Sequence, residues 1–264
     1  MTTLRFGFSP CPNDTFAFHA LAHGLVDAPF EVEPVLLDIE ELNRRAHSSE
    51  FELTKLSFGA LTGLSDRYAL LDSGAALGQG CGPLVVARSP MSFERAVAGP
   101  LAIPGRETTA FLLLRLFAPS HGEVVELRYD RILDAVAAGE VESGLIIHES
   151  RFSYADRGLV CVDDLGERWE RETGLPVPLA GICAHVDLEP ELHLAAERAI
   201  RASVAYAFAH PQASRDYVRA HAQELSDEIC AAHIALYVNA FSLSLGESGM
   251  RAVEALLRKA SSNG

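Results

Sequence analysis

Apolar residues run through "GLIIHESRF" (Gly144–Phe152) and stop at His148, with Glu149 and Arg151 just beyond. A bare turn needs only glycine, asparagine or proline, so a titratable cluster here has two readings. In one, His148 is a solvated loop histidine or one bonded to a backbone carbonyl. In the other, its imidazole, unperturbed near pKa 6.5, acts as a general base around neutral pH. Glu149 is a candidate to orient that ring, although neighbours along a strand point to opposite faces.

Three further turns carry hydroxyls, amides or charges. "SPCPNDT" supplies Ser9, Asn13, Asp14 and Thr15, "TKLS" supplies Thr54, Lys55 and Ser57, and "IPGRETT" supplies Arg106, Thr108 and Thr109. Helix N-termini leave backbone N–H groups unpaired, and hydroxyls beside them bind a carboxylate or a polarised carbonyl. Capping alone selects the same residues. Each turn by itself therefore favours a cap, and it is the conjunction of three such turns with His148 that argues for a site.

The elements that must position these residues follow from periodicity. "LRFGF" alternates with period 2 and leads into a helix through "TFAFHALAHGL"; "FEVEPVLL" is a strand, and "DIEELNRRA" opens a helix with capping-box spacing at Asp38 and Glu41. "LTKLSFGALTGL" turns from strand to helix. Strand-like pieces flank the glycine-rich "GAALGQGCGP", and strands and short helices then alternate to "EVESGLII". This alternation predicts βαβ units and mostly parallel sheets. From Leu192 the chain becomes helical, with a break at Pro211 and a tail "SSNG" expected to fray. The extended stretches "GPLVVARS" and "LPVPLAGICA" are natural crossings between two lobes. They give a discontinuous lobe of residues 1–86 with 184–264, a smaller lobe of residues 87–183, and a ligand cleft between them. In open α/β sheets ligands sit at the carboxyl ends of strands, where the four turns lie.

Composition narrows the function. The chain has 264 residues and a formal net charge of −14, from 22 Lys and Arg against 36 Asp and Glu. With no basic run, the chain is a poor candidate for nucleic acid or anionic membrane as partners. An anionic small-molecule substrate must then be held by local donors that override the overall field. No stretch reaches the roughly 18 uninterrupted apolar residues of a membrane span. The N-terminus lacks the basic and apolar regions of a secretory signal, and the five cysteines form no CxxC pair. The expectation is a cytoplasmic chain with reduced thiols. The glycine-rich loop lacks GxGxxG spacing and leads into a strand, so it reads as a hinge or a close backbone approach. "HESRF" lacks the second histidine of a zinc-protease motif. His19 and His23, four apart on a helix, read as a structural pair. No metal or nucleotide cofactor is expected, and no oligomeric state is assigned.

Seven blocks, "GFSPCPNDTFAF", "LTKLS", "ALGQGCGPLVVAR", "IPGRETTAFLLL", "GEVESGLIIHESRFSYADRGL", "DLGERWERETGLPVPL" and "YVNAFSLSLGESG", together resemble the 1,4-dihydroxy-6-naphthoate synthase family. That family belongs to the futalosine route to menaquinone, and the similarity spans nearly the whole chain in order. It implies an α/β, two-lobed fold like the type II periplasmic binding proteins, with a central cleft. It implies a lyase that converts cyclic dehypoxanthinyl futalosine to 1,4-dihydroxy-6-naphthoate and dihydroxyacetone without a cofactor. On the same ground His148 is the proton acceptor, and Lys55, Leu56, Ser57, Thr108 and Thr109 bind substrate. Asn13 is a further substrate-binding candidate from the first turn, and Lys55 and Arg151 are the two candidates for holding the substrate carboxylate. The rival readings are a solute-binding protein of the same fold without chemistry, the effector module of a transcription regulator, and a related dehydratase.

Overall fold

A computed structural model describes residues 2–222 and 226–262. In chain order the elements begin β1 (Thr2–Phe8), α1 (Pro12–Ala22), β2 (Phe30–Leu36), α2 (Ile39–Ala46), β3 (Leu53–Ser57), α3 (Phe58–Leu61), β4 (Tyr68–Leu70) and β5 (Ala76–Gly78). They continue with β6 (Leu84–Ala87), α4 (Phe93–Ala98), β7 (Leu101–Ile103), α5 (Thr109–Phe117), β8 (Val124–Glu126), α6 (Tyr129–Ala138), β9 (Ser143–Ile146), α7 (Ser150–Ser153), β10 (Val160–Asp164) and α8 (Leu165–Thr173). The chain ends through β11 (Val177–His185), α9 (Pro190–Ala209), α10 (Arg215–His221), α11 (Asp227–Tyr237), α12 (Ala240–Leu243) and α13 (Gly246–Ser262).

Two sheets result. One has the order β2-β1-β3-β11-β4, with β5 also paired to β11; the other has the order β10-β6-β9-β7-β8. Both are mixed, which differs from the mostly parallel expectation. The βαβ units do pair in parallel, β1 with β2 and β3, and β7 with β8 and β9. The long β11, however, runs antiparallel to β3, β4 and β5, and β6 runs antiparallel to β9 and β10. The reason is topological: β11 returns the chain to the first sheet and β6 enters the second, so each joins without a crossover helix that would force parallel pairing.

Period-2 patterning builds the sheet core. Leu4, Phe6 and Phe8 on β1 are buried, and the rings of Phe6, Phe8 and Phe18 meet at centroid distances of 4.9–5.5 Å. α1 begins at Pro12, three residues before the expected start, because proline fits the first helical position, where its missing N–H costs nothing. Alanines 195, 196 and 199 make the buried face of α9 thin, so α1 packs closely and Ser203 donates to the Ala17 carbonyl at 2.8 Å. The glycine-rich loop proves to be a close approach: a Cβ on Gly82 would lie 2.3 Å from the Gly166 Cα. The backbone of the first crossing stretch touches the start of α8 there, and neither glycine tolerates a side chain.

α10 ends at His221, with the remainder of its expected segment, residues 223–225, outside the described residues. Ser261 and Ser262 extend α13 rather than fray, and Asn263 and Gly264 lie outside the described residues. Among the described residues no helix is long and apolar enough to cross a membrane.

Candidate active site

The four turns meet. A cavity of about 550 Å³, partly open to solvent, is lined by Asn13, Lys55, Ser57, Thr108, Thr109 and His148 among others. Ile39, Ile147 and Leu179 add apolar wall. A mainly apolar cleft with a few convergent polar groups suits a flat ring carrying oxygens.

β3 explains the "TKLS" placement. Alternation turns Lys55 and Ser57 to the cavity and sends Leu56 to the opposite side of the sheet, where it joins the hydrophobic core. Lys55, almost fully buried, pairs with Asp14 at Nζ–Oδ1 2.5 Å. The other Asp14 oxygen accepts from the Ser9 backbone N–H at 3.0 Å and the Ser9 hydroxyl at 2.6 Å. Asn13 donates to Asp14 at 2.7 Å, and Asn13 Oδ1 lies 2.9 Å from His233 Nε2. Asn13 thus uses its amide on Asp14 and its carbonyl on His233. That fixes His233 as the Nε2–H tautomer. A buried ammonium is tolerable only because this paired, hydrogen-bonded carboxylate lies beside it.

β9 ends at Ile146, and His148 follows in a left-handed conformation, φ 57°. This is uncommon for a residue with a side chain, although histidine enters the region more readily than most. The turn aims the imidazole back into the cleft, edge-on to Tyr129 at 4.8 Å and stacked at 6.2 Å from His233. His148 Nε2 is buried and has no hydrogen-bond partner among the described residues. Burial, and secondarily the Lys55 charge, push the His148 pKa down to about 3. The ring is therefore neutral at pH 7, with a lone pair available. Glu149 is buried, with Oε1 3.5 Å from the Tyr129 hydroxyl and Oε2 3.7 Å from His233 Nδ1.

The third turn caps α5. Thr108 Oγ1 accepts from the Phe111 N–H at 3.2 Å and donates to the Gly105 carbonyl at 2.8 Å. Thr109 Oγ1 donates to the Leu179 carbonyl at 2.5 Å and accepts from the Gly59 N–H at 3.2 Å. Both hydroxyls are spent on the scaffold. What the turn offers a ligand is the first-turn amides of Thr109 and Ala110, which have no intrahelical acceptor, in the positive end of the helix dipole. Gly59 admits this turn, since a Cβ there would lie 2.7 Å from the Glu107 carbonyl oxygen. Ser57 Oγ accepts from Asn43 at 3.1 Å, which leaves the hydroxyl proton directed elsewhere.

Leu56 and Arg151 are not among the residues lining the cavity. Arg151 donates to the Gly82 carbonyl and pairs with Asp164 at 2.9 Å, tying the crossing region to the start of α8. Arg106 is exposed and pairs with Glu126 at 3.6 Å. The sequence reading missed Asn43, His233, Tyr237 and Tyr129. A signal existed for His233: with Cys230 and Tyr237 it forms one buried stripe of α11, and a histidine in such a stripe needs a polar partner. The His19 and His23 rings lie 4.4 Å apart, tilted by 35°, with His23 Nδ1 2.9 Å from the His19 carbonyl. Among the described residues one group of metal-ligating type forms, Cys11, His148 and Glu149.

Comparison with known proteins agrees with this architecture. Residues 4–262 match the family described as menaquinone biosynthesis. A Thermus thermophilus protein named 1,4-dihydroxy-6-naphthoate synthase is 57% identical over 264 residues, covering 100% of this chain and 96% of its own. A crystal structure of an Archaeoglobus fulgidus protein, 39% identical, superposes with a TM-score of 0.94 over 99% of this chain and 98% of that one. A Candida albicans protein described as having the generic periplasmic binding protein fold reaches a TM-score of 0.72 at 12% identity, over 99% of this chain and 91% of its own. The two-lobed, periplasmic-binding-protein-like fold expected from the sequence is the observed one.

Proposed function

This chain belongs to the menaquinone biosynthesis family, and from that premise we propose that it is a carbon–carbon lyase that cleaves cyclic dehypoxanthinyl futalosine to 1,4-dihydroxy-6-naphthoate and dihydroxyacetone, with His148 as the base. The observation that carries the proposal is the buried, unpartnered Nε2 of a neutral His148 on the wall of a cavity that also holds Ser57 and the amino end of α5. The substrate carboxylate takes the Thr109 and Ala110 amides and the Ser57 hydroxyl, which supply an anion site inside an acidic protein. Arg151 and Lys55 serve this reading as scaffold, since each is already held by a carboxylate.

In the proposed step His148 accepts a substrate hydroxyl proton. The alkoxide becomes a carbonyl as the carbon–carbon bond breaks, and the bonding pair moves into the ring to an enolate oxygen. The proton on the imidazole then returns to the leaving fragment or the ring, so the reaction consumes no oxidant or reductant. A base with a depressed pKa is weak, but an anionic substrate brings the counter-charge that raises it again when bound. Donors already in place stabilise the developing oxygen without reorganisation. Five free cysteines support a reducing, cytoplasmic setting. The lobe boundaries at 86/87 and 183/184 remain part of the proposal; sheet membership supports crossings a few residues earlier, since strands from 2 to 78 and from 177 to 185 share one sheet and those from 84 to 164 the other.

The test is single-turnover conversion of that substrate by wild type and His148→Ala, read by mass spectrometry, with binding measured alongside. Product from wild type, and a loss of about 10²-fold or more in the variant with binding kept, supports the reading. Binding by wild type without turnover replaces it with a solute-binding role. Undiminished turnover in the variant moves the base elsewhere.

A further inference from the structure

We propose that Cys11, His148 and Glu149 form a binding site for a soft divalent cation such as Zn²⁺, which enters through the cleft and competes with the substrate for the base. The thiol sulfur, a ring nitrogen of His148 and a carboxylate oxygen all lie within 4.8 Å of one another. Three such atoms leave a common point within about 2.8 Å of each, while Zn–N, Zn–O and Zn–S bonds run about 2.0–2.3 Å. Contraction by well under 1 Å at each side chain brings the three atoms into bonding range, and His148, which lines the cavity, is the ligand that an ion meets from the cleft.

Each ligand has a reason to be there. Cys11 is the residue that begins α1 and makes no side-chain cap, so its thiol is not needed by the helix. It sits 4.0 Å from the Tyr129 hydroxyl, a weak contact. His148 presents a buried ring nitrogen without a partner among the described residues. Sulfur with imidazole favours zinc and its soft neighbours over magnesium or calcium.

Charge makes the site selective for a dication. Lys55 is paired with Asp14 at 2.5 Å, and the Glu149 carboxylate brings a formal −1 to the ligand set. Binding a dication with loss of the Cys11 thiol proton to solvent brings that sum to zero. A closed charge balance is what a buried ionic group requires.

The consequence for turnover rests on the base assignment above, whereas the site itself does not. The full chain, freed of metal, is titrated with Zn²⁺ by calorimetry as wild type, Cys11→Ser and Cys161→Ser; Co²⁺ spectra are recorded on the same set. Cys161 is the exposed thiol and the natural adventitious site. Expected is one ion per chain in wild type and Cys161→Ser, with a thiolate-to-cobalt charge-transfer band. Cys11→Ser should bind at least about tenfold more weakly and lack the band. Serine is a good residue at a helix start, and Glu149→Gln supplies a second variant with the thiol intact, expected to weaken binding while keeping the band. Without metal, Cys11→Ser should turn over like wild type and then resist zinc inhibition. Zinc binding that survives in Cys11→Ser, a band that depends on Cys161, or no binding at all would each overturn the site. Cys11-dependent binding with full turnover by His148→Ala would instead sink the base assignment and leave the cation site standing.

Discussion

The ring of His233 meets the side chain of Asn13 at 2.9 Å, joining α11 to the first turn of α1 across 220 positions of chain. The contact continues through Asp14 to Lys55, so one histidine far from the cleft in sequence steadies two of its walls. Replacing His233 with alanine leaves the Asn13 carbonyl oxygen buried without its donor, at a cost of about 1–3 kcal/mol. His233→Gln, which can restore a donor, should recover most of it. Denaturant midpoints of the two variants decide; equal loss in both would mean that packing, not the hydrogen bond, sets the effect.

The Asp14–Lys55 pair is a second point of attack. Asp14→Asn leaves an ammonium buried beside a neutral amide and should destabilise the fold by about 3–5 kcal/mol. Adding Lys55→Met should return much of that stability without returning activity. A double variant as unstable as the sum of the singles would show that the two side chains do not depend on each other.

Acid should unfold this protein early. Burial holds both cleft histidines down, His148 to about 3 and His233 well below its ordinary value. The folded state keeps neutral rings while the unfolded chain takes up protons below about pH 6.5. The stabilisation is thus fully present above pH 6.5 and, for His148, is lost as pH falls toward 3, at about 1.4 kcal/mol per pH unit, with His233 adding in the same direction. Urea midpoints measured stepwise across that window should show the slope, shallower in His233→Gln. The kcat/KM profile, for the same reason, should have no acidic limb near 6.5; a limb there would place the working histidine in an ordinary, solvated environment.

At the α5 turn, Thr109 joins three elements through one hydroxyl. Thr109→Val keeps the shape but orphans the Gly59 amide and the Leu179 carbonyl, so KM should rise by about tenfold with kcat less affected. Thr109→Ser should restore it. A fall in kcat alone in the valine variant would mean that the turn acts on the chemical step rather than on substrate placement.

Much of this was legible in the sequence. Period-2 strands, short helices and the two extended crossings dictate an α/β chain that leaves one sheet and comes back, because side-chain alternation is local and needs no partner to be read. Asn13, Lys55, Ser57, Thr108, Thr109 and His148 could be singled out since strand-to-helix turns are where an open sheet leaves polar groups exposed. The tertiary structure decided what those groups are free to do. It committed both threonine hydroxyls to the scaffold, gave Arg151 to Asp164 and Lys55 to Asp14, and turned Leu56 into the core. It also brought His233 against Asn13, Asn43 against Ser57 and Cys11 beside His148, contacts that no local pattern announces. Hydrogen-bond saturation, burial and charge pairing depend on distances between remote parts of the chain, and no local pattern encodes those distances.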